Sequence, residues 1–114
     1  MQSHEVPQDQ WVDFCNRFSD EHLGWPVTIE VLSQEAGPER ILADQPLRGI
    51  SLDPAGSRPC SIDVGAGNSL SSNFTHTVDH PRHIRLADQD RNSGTLEIQP
   101  KDGPATLVHF HRPA

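Results

Sequence analysis

The chain of 114 residues is poor in large hydrophobic side chains: it has no tyrosine, one methionine, two tryptophans and four phenylalanines. No hydrophobic run approaches the roughly 20 apolar residues of a membrane-spanning helix. The N-terminal stretch MQSHEVPQDQ lacks the basic start and apolar centre of a secretory signal peptide. We therefore expect a cytoplasmic protein with a single domain spanning residues 1–114, because this length fits one domain.

Positive charge is also scarce. Lys101 is the only lysine, the arginines form no basic run, and the formal net charge is −7. Nucleic-acid binding draws most of its affinity from neutralised phosphates, and anionic membranes attract basic segments in the same way. We therefore expect neither nucleic acid nor a membrane surface as a partner.

Catalytic signatures are missing as well. Cys15 and Cys60 form no CxxC pair and lie on predicted apolar faces, as buried thiols do. There is no GxSxG or HExxH motif, and the stretch GAGNSL lacks the lysine of a phosphate-binding loop. We assign no catalytic residue and expect no enzymatic activity.

One amphipathic helix is predicted over residues 7–23. Its apolar side chains recur at helical spacing and share one face: Trp11, Phe14, Cys15, Phe18 and His22. Gly24 is a typical residue to follow the last turn. Because the opposite face is charged, this stripe must cover a sheet.

The rest of the chain alternates between apolar and polar residues, which is typical of half-buried strands. Strands are predicted over residues 26–33, 47–53, 60–65, 74–87, 95–99 and 105–111. A short edge strand is expected at residues 41–43, and Pro81 implies a bulge or edge position. The predicted fold class is α+β, mainly β, with the helix packed on a curled, mostly antiparallel sheet or small open barrel of about six strands.

Five histidines form two groups in the sequence, three within eight positions and a pair near the C-terminus: His76, His80, His83, His109 and His111. His109 and His111 share one face of a predicted strand, as do His76 and His80 if no bulge intervenes. With Asp63 or Asp79 as a further ligand, His76, His80, His109 and His111 are candidates for a zinc or nickel site. The alternative is that these histidines are only the polar face of ordinary strands.

The helix carries a WxxFCxxF pattern within WVDFCNRFSDEHLGWPVTIEVL, followed by PLRGISLD and THTVDHPRHIRL. These segments resemble a family of small bacterial proteins known only as a domain of unknown function. The resemblance implies a self-contained bacterial cytoplasmic domain. It transfers no catalytic residue, cofactor or partner.

Two functions remain open from the sequence. The first is a non-catalytic binding or interaction module, which we expect to form a homodimer through a sheet edge or the helix. The second is a small metal-binding or proton-handling protein, or an enzyme, that uses the histidine-bearing strands. Convergence of three of the five histidines would favour the second function, and dispersal would favour the first.

Overall fold

A computed structural model describes residues 2–33, 35, 37–53, 61–67, 74–90 and 92–113. An N-terminal strand and a short 3-10 turn precede one α-helix, and seven strands follow it. The elements are β1 (Gln2–Glu5), the 3-10 turn (Gln8–Gln10), α1 (Trp11–Glu21), β2 (Pro26–Ser33), β3 (Gly37–Asp53), β4 (Ser61–Ala66), β5 (Phe74–Asp79), β6 (Pro81–Asp90), β7 (Ser93–Pro100) and β8 (Ala105–His111). The mainly-β α+β class is confirmed.

The strands form one antiparallel sheet in the order β1-β6-β7-β8-β2-β3-β4-β5. The sheet is curled but not closed, so β1 and β5 are its edges. Strand β6 pairs with β7 on one side and, along Arg85–Asp88, with β1 on the other. Since β1 occupies this edge of β6, β5 cannot pair there and close a barrel.

Helix α1 packs its apolar face onto the sheet, as predicted. Trp11, Cys15 and Phe18 are buried, and Phe14 is half-buried against the same core. The Phe18 ring meets the Phe110 ring edge-on, with 5.2 Å between centroids. Ser19 holds the helix to β3, because its hydroxyl donates to the Ile50 carbonyl at 3.0 Å and accepts from the Ile50 amide at 2.8 Å.

The sheet core follows the predicted alternation. On β8, Val108 and Phe110 are buried between more exposed neighbours, as are Ile62 and Val64 on β4. Gly94 on β7 is required by close packing: a Cβ there would lie 2.7 Å from Phe110 Cζ. Since a contact this short is not tolerated, the Phe110 ring occupies the space that a side chain would need.

Strand β3 differs from the prediction. Its 17 residues join the predicted strand 47–53 with the short edge strand expected at 41–43. The first half pairs with β2 and the second half with β4. Two register shifts between Val27 and Glu30 bend this pair, and Asp44 takes a positive φ of 51° there. The irregularities allow one strand to serve two partners, because bulges increase local bend and twist.

The predicted strand 74–87 is two strands. The chain breaks at His80, whose φ is 55°, and its carbonyl accepts a hydrogen bond from the Lys101 amide at 2.8 Å. Pro81 then begins β6. A single residue therefore carries the chain from the β4–β5 end of the sheet to its other end.

The remaining differences between the predicted and the observed elements are one additional strand and several shifted ends. The helix proper is shorter than the predicted 7–23, and β1 was not predicted. Strand β4 is described from Ser61, so the predicted strand residue Cys60 lies outside the described residues. Strand β7 extends beyond the predicted 95–99 at both ends. No helix in the described part of the chain is both long and apolar enough to span a membrane.

Candidate functional site

The candidate histidines lie on opposite faces of the curled sheet. His76 shares the inner face of β5 with buried Val78. His109 and His111 alternate with the buried residues of β8 and therefore point to the outer face. Because the sheet separates the two groups, His76 cannot join His109 and His111 around one ion.

On the inner face, His76 bonds across the core to β8. Its Nε2 atom lies 3.0 Å from Oγ1 of Thr106, which is 2 % exposed. Burial lowers the pKa of His76 from its ordinary value of 6.5, so the neutral ring is favoured. The two side chains line a cavity of about 220 Å³ together with Val31, Val78, Pro100 and Pro104, with Asp79 and Asp102 also in the lining.

On the outer face, each histidine has its own carboxylate. His109 Nε2 lies 2.8 Å from Glu30 Oε1, and His109 Nδ1 lies 2.9 Å from Thr95 Oγ1. His111 Nε2 is 3.6 Å from the Asp44 carboxylate. These cross-strand pairs are typical of the polar face of a sheet.

The other two histidines are separate again. His83 Nδ1 lies 2.8 Å from Glu5 Oε2, which ties β6 to β1. His80 is exposed and lies outside β5, so the condition for sharing a strand face with His76 is not met. Throughout the described ranges, no three His, Cys, Asp or Glu side chains are grouped closely enough to hold a metal ion.

The free edge of β5 is the more distinctive feature. All six of its residues pair with β4, from Phe74 opposite Ala66 to Asp79 opposite Ser61. On its other side, β5 has no backbone hydrogen bond to any residue that the structure describes. Thr75, Thr77 and Asp79 are exposed on its outer face. An unpaired strand edge of this kind is a ready template for another strand.

Two charged side chains lie near opposite ends of this edge. Asp79 is at the C-terminal end, whereas Arg48 lies near the N-terminal end, in a depression of about 470 Å³ that Thr75 also lines. Arg48 sits at the register shift between Leu47 and Gly49 and is exposed. Among the residues that the structure describes, no carboxylate forms an ion pair with Arg48.

Gly65 lies between Arg48 and the edge strand. It pairs with Gly49 on one side and Thr75 on the other. A Cβ placed on Gly65 would lie 3.8 Å from the Arg48 Cβ. Because glycine leaves this position empty, the Arg48 side chain has room to extend across β4 towards β5.

Sequence reasoning missed Arg48 and Thr106. Thr106 has a signal in the sequence, since it alternates in phase with Val108 and Phe110 and so belongs to the inner face. Arg48 has none, because its position depends on a register shift. Asp63 and Asp79 were expected only as extra metal ligands; Asp63 instead accepts a hydrogen bond from the Thr77 hydroxyl at 2.6 Å.

Comparison with known protein families matches residues 2–114 to a family of unknown function, DUF5335. The chain belongs to the DUF5335 family. An uncharacterized protein of Aquifex aeolicus is similar to this DUF5335 chain, at 25% identity over 110 residues, which is 96% of this chain and 93% of that protein. No solved structure matches the chain. The expected resemblance to a family of unknown function is thus confirmed.

Proposed function

We propose that this DUF5335 protein is a non-catalytic interaction module that forms a homodimer by pairing the free edges of β5. The observation that carries the proposal is that no strand of the described residues pairs with the outer edge of β5. Prolines, lysines and very short strands are common protections of such edges. Strand β5 has six residues, FTHTVD, and contains neither proline nor lysine.

Proline protects strand edges, and three prolines of the described strands lie away from the edge of β5. Pro26 and Pro46 face each other within the β2–β3 pair, and Pro81 begins β6. None of these three prolines therefore lies on β5. Addition of a second strand would extend the sheet and satisfy the backbone groups of this edge, which is a common mode of protein recognition.

Other features support a binding role over catalysis. Cys15 is buried, and desolvation raises the pKa of its thiol to about 11, so it is not a nucleophile near neutral pH. The dispersed histidines favour the interaction module by the criterion stated above. The acidic net charge supports a protein partner over a nucleic acid.

The test is a measurement of mass by light scattering over a range of protein concentrations. We expect a dimer of the parent at micromolar concentration and a monomer of Thr77→Lys, since lysine on an edge opposes pairing. Ser51→Lys is the matched control: Ser51 and Thr77 are exposed and flank Asp63 from opposite sides, but Ser51 is not on the free edge. The control should remain dimeric.

Two results would count against the proposal. If the parent protein stays monomeric when it is concentrated, the proposed homodimer is wrong. Dissociation by Val12→Lys but not by Thr77→Lys would move the interface to the helix, where Val12 is 51% exposed. Circular dichroism of each variant checks that the fold is retained.

A further inference from the structure

We infer that the second copy docks in one register, with the two β5 strands antiparallel and centred on Thr77, so that Arg48 of each copy faces Asp79 of the other. The inference rests on the proposed function and specifies its geometry. It assigns a role in partner choice to Arg48 and Asp79, two exposed side chains for which no ion pair is found among the described residues.

The alternation of β5 restricts the possible registers. Directly opposed residues in an antiparallel pair project on the same side of the sheet. Exposed Thr75, Thr77 and Asp79 must therefore meet exposed residues of the second copy, while His76 and Val78 meet inner residues. A two-fold axis must then pass through a residue rather than between two residues.

An axis at Thr77 uses most of the strand and opposes no like charges. It places Thr77 opposite Thr77, and Asp79 opposite Thr75 of the second copy. Cross-strand threonine pairs are favourable. A shift of the axis to Asp79 would place two carboxylates directly opposite each other, which is destabilising.

The Thr77-centred register also aligns a row of residues across the interface. Beyond Thr75 of the second copy, the row continues to Gly65 of its β4 and reaches the Arg48 side chain. Asp79 lies about 9.6 Å, or two strand spacings, from that β4. Because Gly65 has no side chain, Arg48 of the second copy can extend over it towards Asp79.

The two-fold symmetry makes this arrangement self-complementary. Arg48 and Asp79 lie near opposite ends of the same edge, so an antiparallel pair brings each arginine beside an aspartate and does so twice. Complementary charges of this kind set register and partner choice. A parallel pair of copies would instead bring equal charges together at each end.

Charge reversal tests the inference. Arg48→Glu changes the net charge from −7 to −9, and Asp79→Lys changes it from −7 to −5. If only overall repulsion mattered, the first variant would weaken the dimer and the second would strengthen it. We expect both variants to weaken it, with an increase in the dissociation constant of about tenfold or more, because each creates two like-charge contacts.

An equimolar mixture of the two variants gives the decisive measurement. In the mixed dimer, the introduced glutamate of one copy would face the introduced lysine of the other, while the native Arg48 and Asp79 would face each other at the second contact. Two variants that are monomeric alone should therefore associate at the parent concentration. The double variant Arg48→Glu with Asp79→Lys should also dimerise. Light scattering and unchanged circular dichroism of each variant separate lost association from lost folding.

The failures are distinguishable. A monomeric parent would overturn the proposed function itself. A parent dimer that Thr77→Lys dissociates, but that both charge reversals leave unchanged, would keep the β5 interface and overturn the register. If both single variants are monomeric and their equimolar mixture also stays monomeric, Arg48 of one copy does not face Asp79 of the other.

Discussion

The two edge strands of the sheet are held in different ways. Strand β1 is fastened by side chains: the Glu5 carboxylate lies 2.8 Å from His83 Nδ1 and 3.7 Å from Arg85 Nε. Directly after β1, Val6 is buried and its carbonyl accepts a hydrogen bond from Trp11 Nε1 at 2.9 Å. Strand β5 has its ladder to β4 and the bond of His76 to Thr106.

This comparison shows that two strands at the edges of one sheet can differ in how available they are for pairing with a further strand. Both strands are edges, but β1 has only four residues and carries a charged, partnered side chain. Shortness and charge are common protections of an edge. Strand β5 is longer, with six residues, and its charged residue Asp79 forms no ion pair with any residue that the structure describes, so the two edges differ in their capacity to accept a partner.

The largest expected effect concerns the anchor of β1. Trp11→Ala removes a buried aromatic ring and the hydrogen bond to Val6, so we expect the free energy of unfolding to fall by about 3–5 kcal/mol. Phe14→Ala is the control on the same helix and should lose less, because Phe14 is only half-buried. Equal losses in urea denaturation would contradict the anchoring role of Trp11.

A smaller, pH-dependent effect is expected at β5. Burial lowers the folded-state pKa of His76 below 6.5, whereas the unfolded chain protonates near that value. The contribution of neutral His76 to the free energy of unfolding should be fully present above pH 6.5. It should decline as the pH falls from 6.5 to the folded-state pKa. His76→Gln should reduce this decline in urea titrations, while His109→Gln on the outer face should retain it. An equal decline in the free energy of unfolding in both variants would show that His76 is not the source of the pH dependence.

The smallest effect is expected at the Glu5 contact. The hydrogen bond from His83 lowers the pKa of Glu5 from 4.5, assisted by the charges of His83 and Arg85. The contribution is therefore present above pH 4.5 and is lost as the pH falls through the lowered pKa. Glu5→Gln should lower the melting temperature slightly near neutral pH and not at pH well below 4.5. Glu39, exposed on β3, provides the control variant Glu39→Gln. An equal fall in the melting temperature of this control would show that the contact of Glu5 with His83 does not stabilise the fold.

Alternation and helical spacing were sufficient to predict most of the elements. The bounds of β2 and β8 are as predicted, because Val27, Ile29, Val108 and Phe110 alternate with polar residues. The helix face is also as predicted, since Trp11 and Phe18 recur at helical spacing. Burial of one face determines these patterns, so they are visible in the chain itself.

The candidate interface was less predictable because it depends on pairing between distant segments. The sequence indicates that edges exist, but not that β1 pairs with β6 and that β5 has only one partner among the described strands. The position of Arg48 follows from a register shift, and the break at His80 follows from a positive φ in a residue other than glycine. Neither has a signature in hydrophobic periodicity.

The central place of β8 has a consequence for the order in which the chain can fold. Strand β8 follows all the other described strands in the chain, yet it lies between β7 and β2 and pairs Phe110 with Val27. Strand β1, which precedes the other described strands, has its partner at Arg85–Asp88. A growing chain therefore cannot assemble this sheet until residues 105–111 have been synthesised. Contacts of such long sequence separation also slow folding.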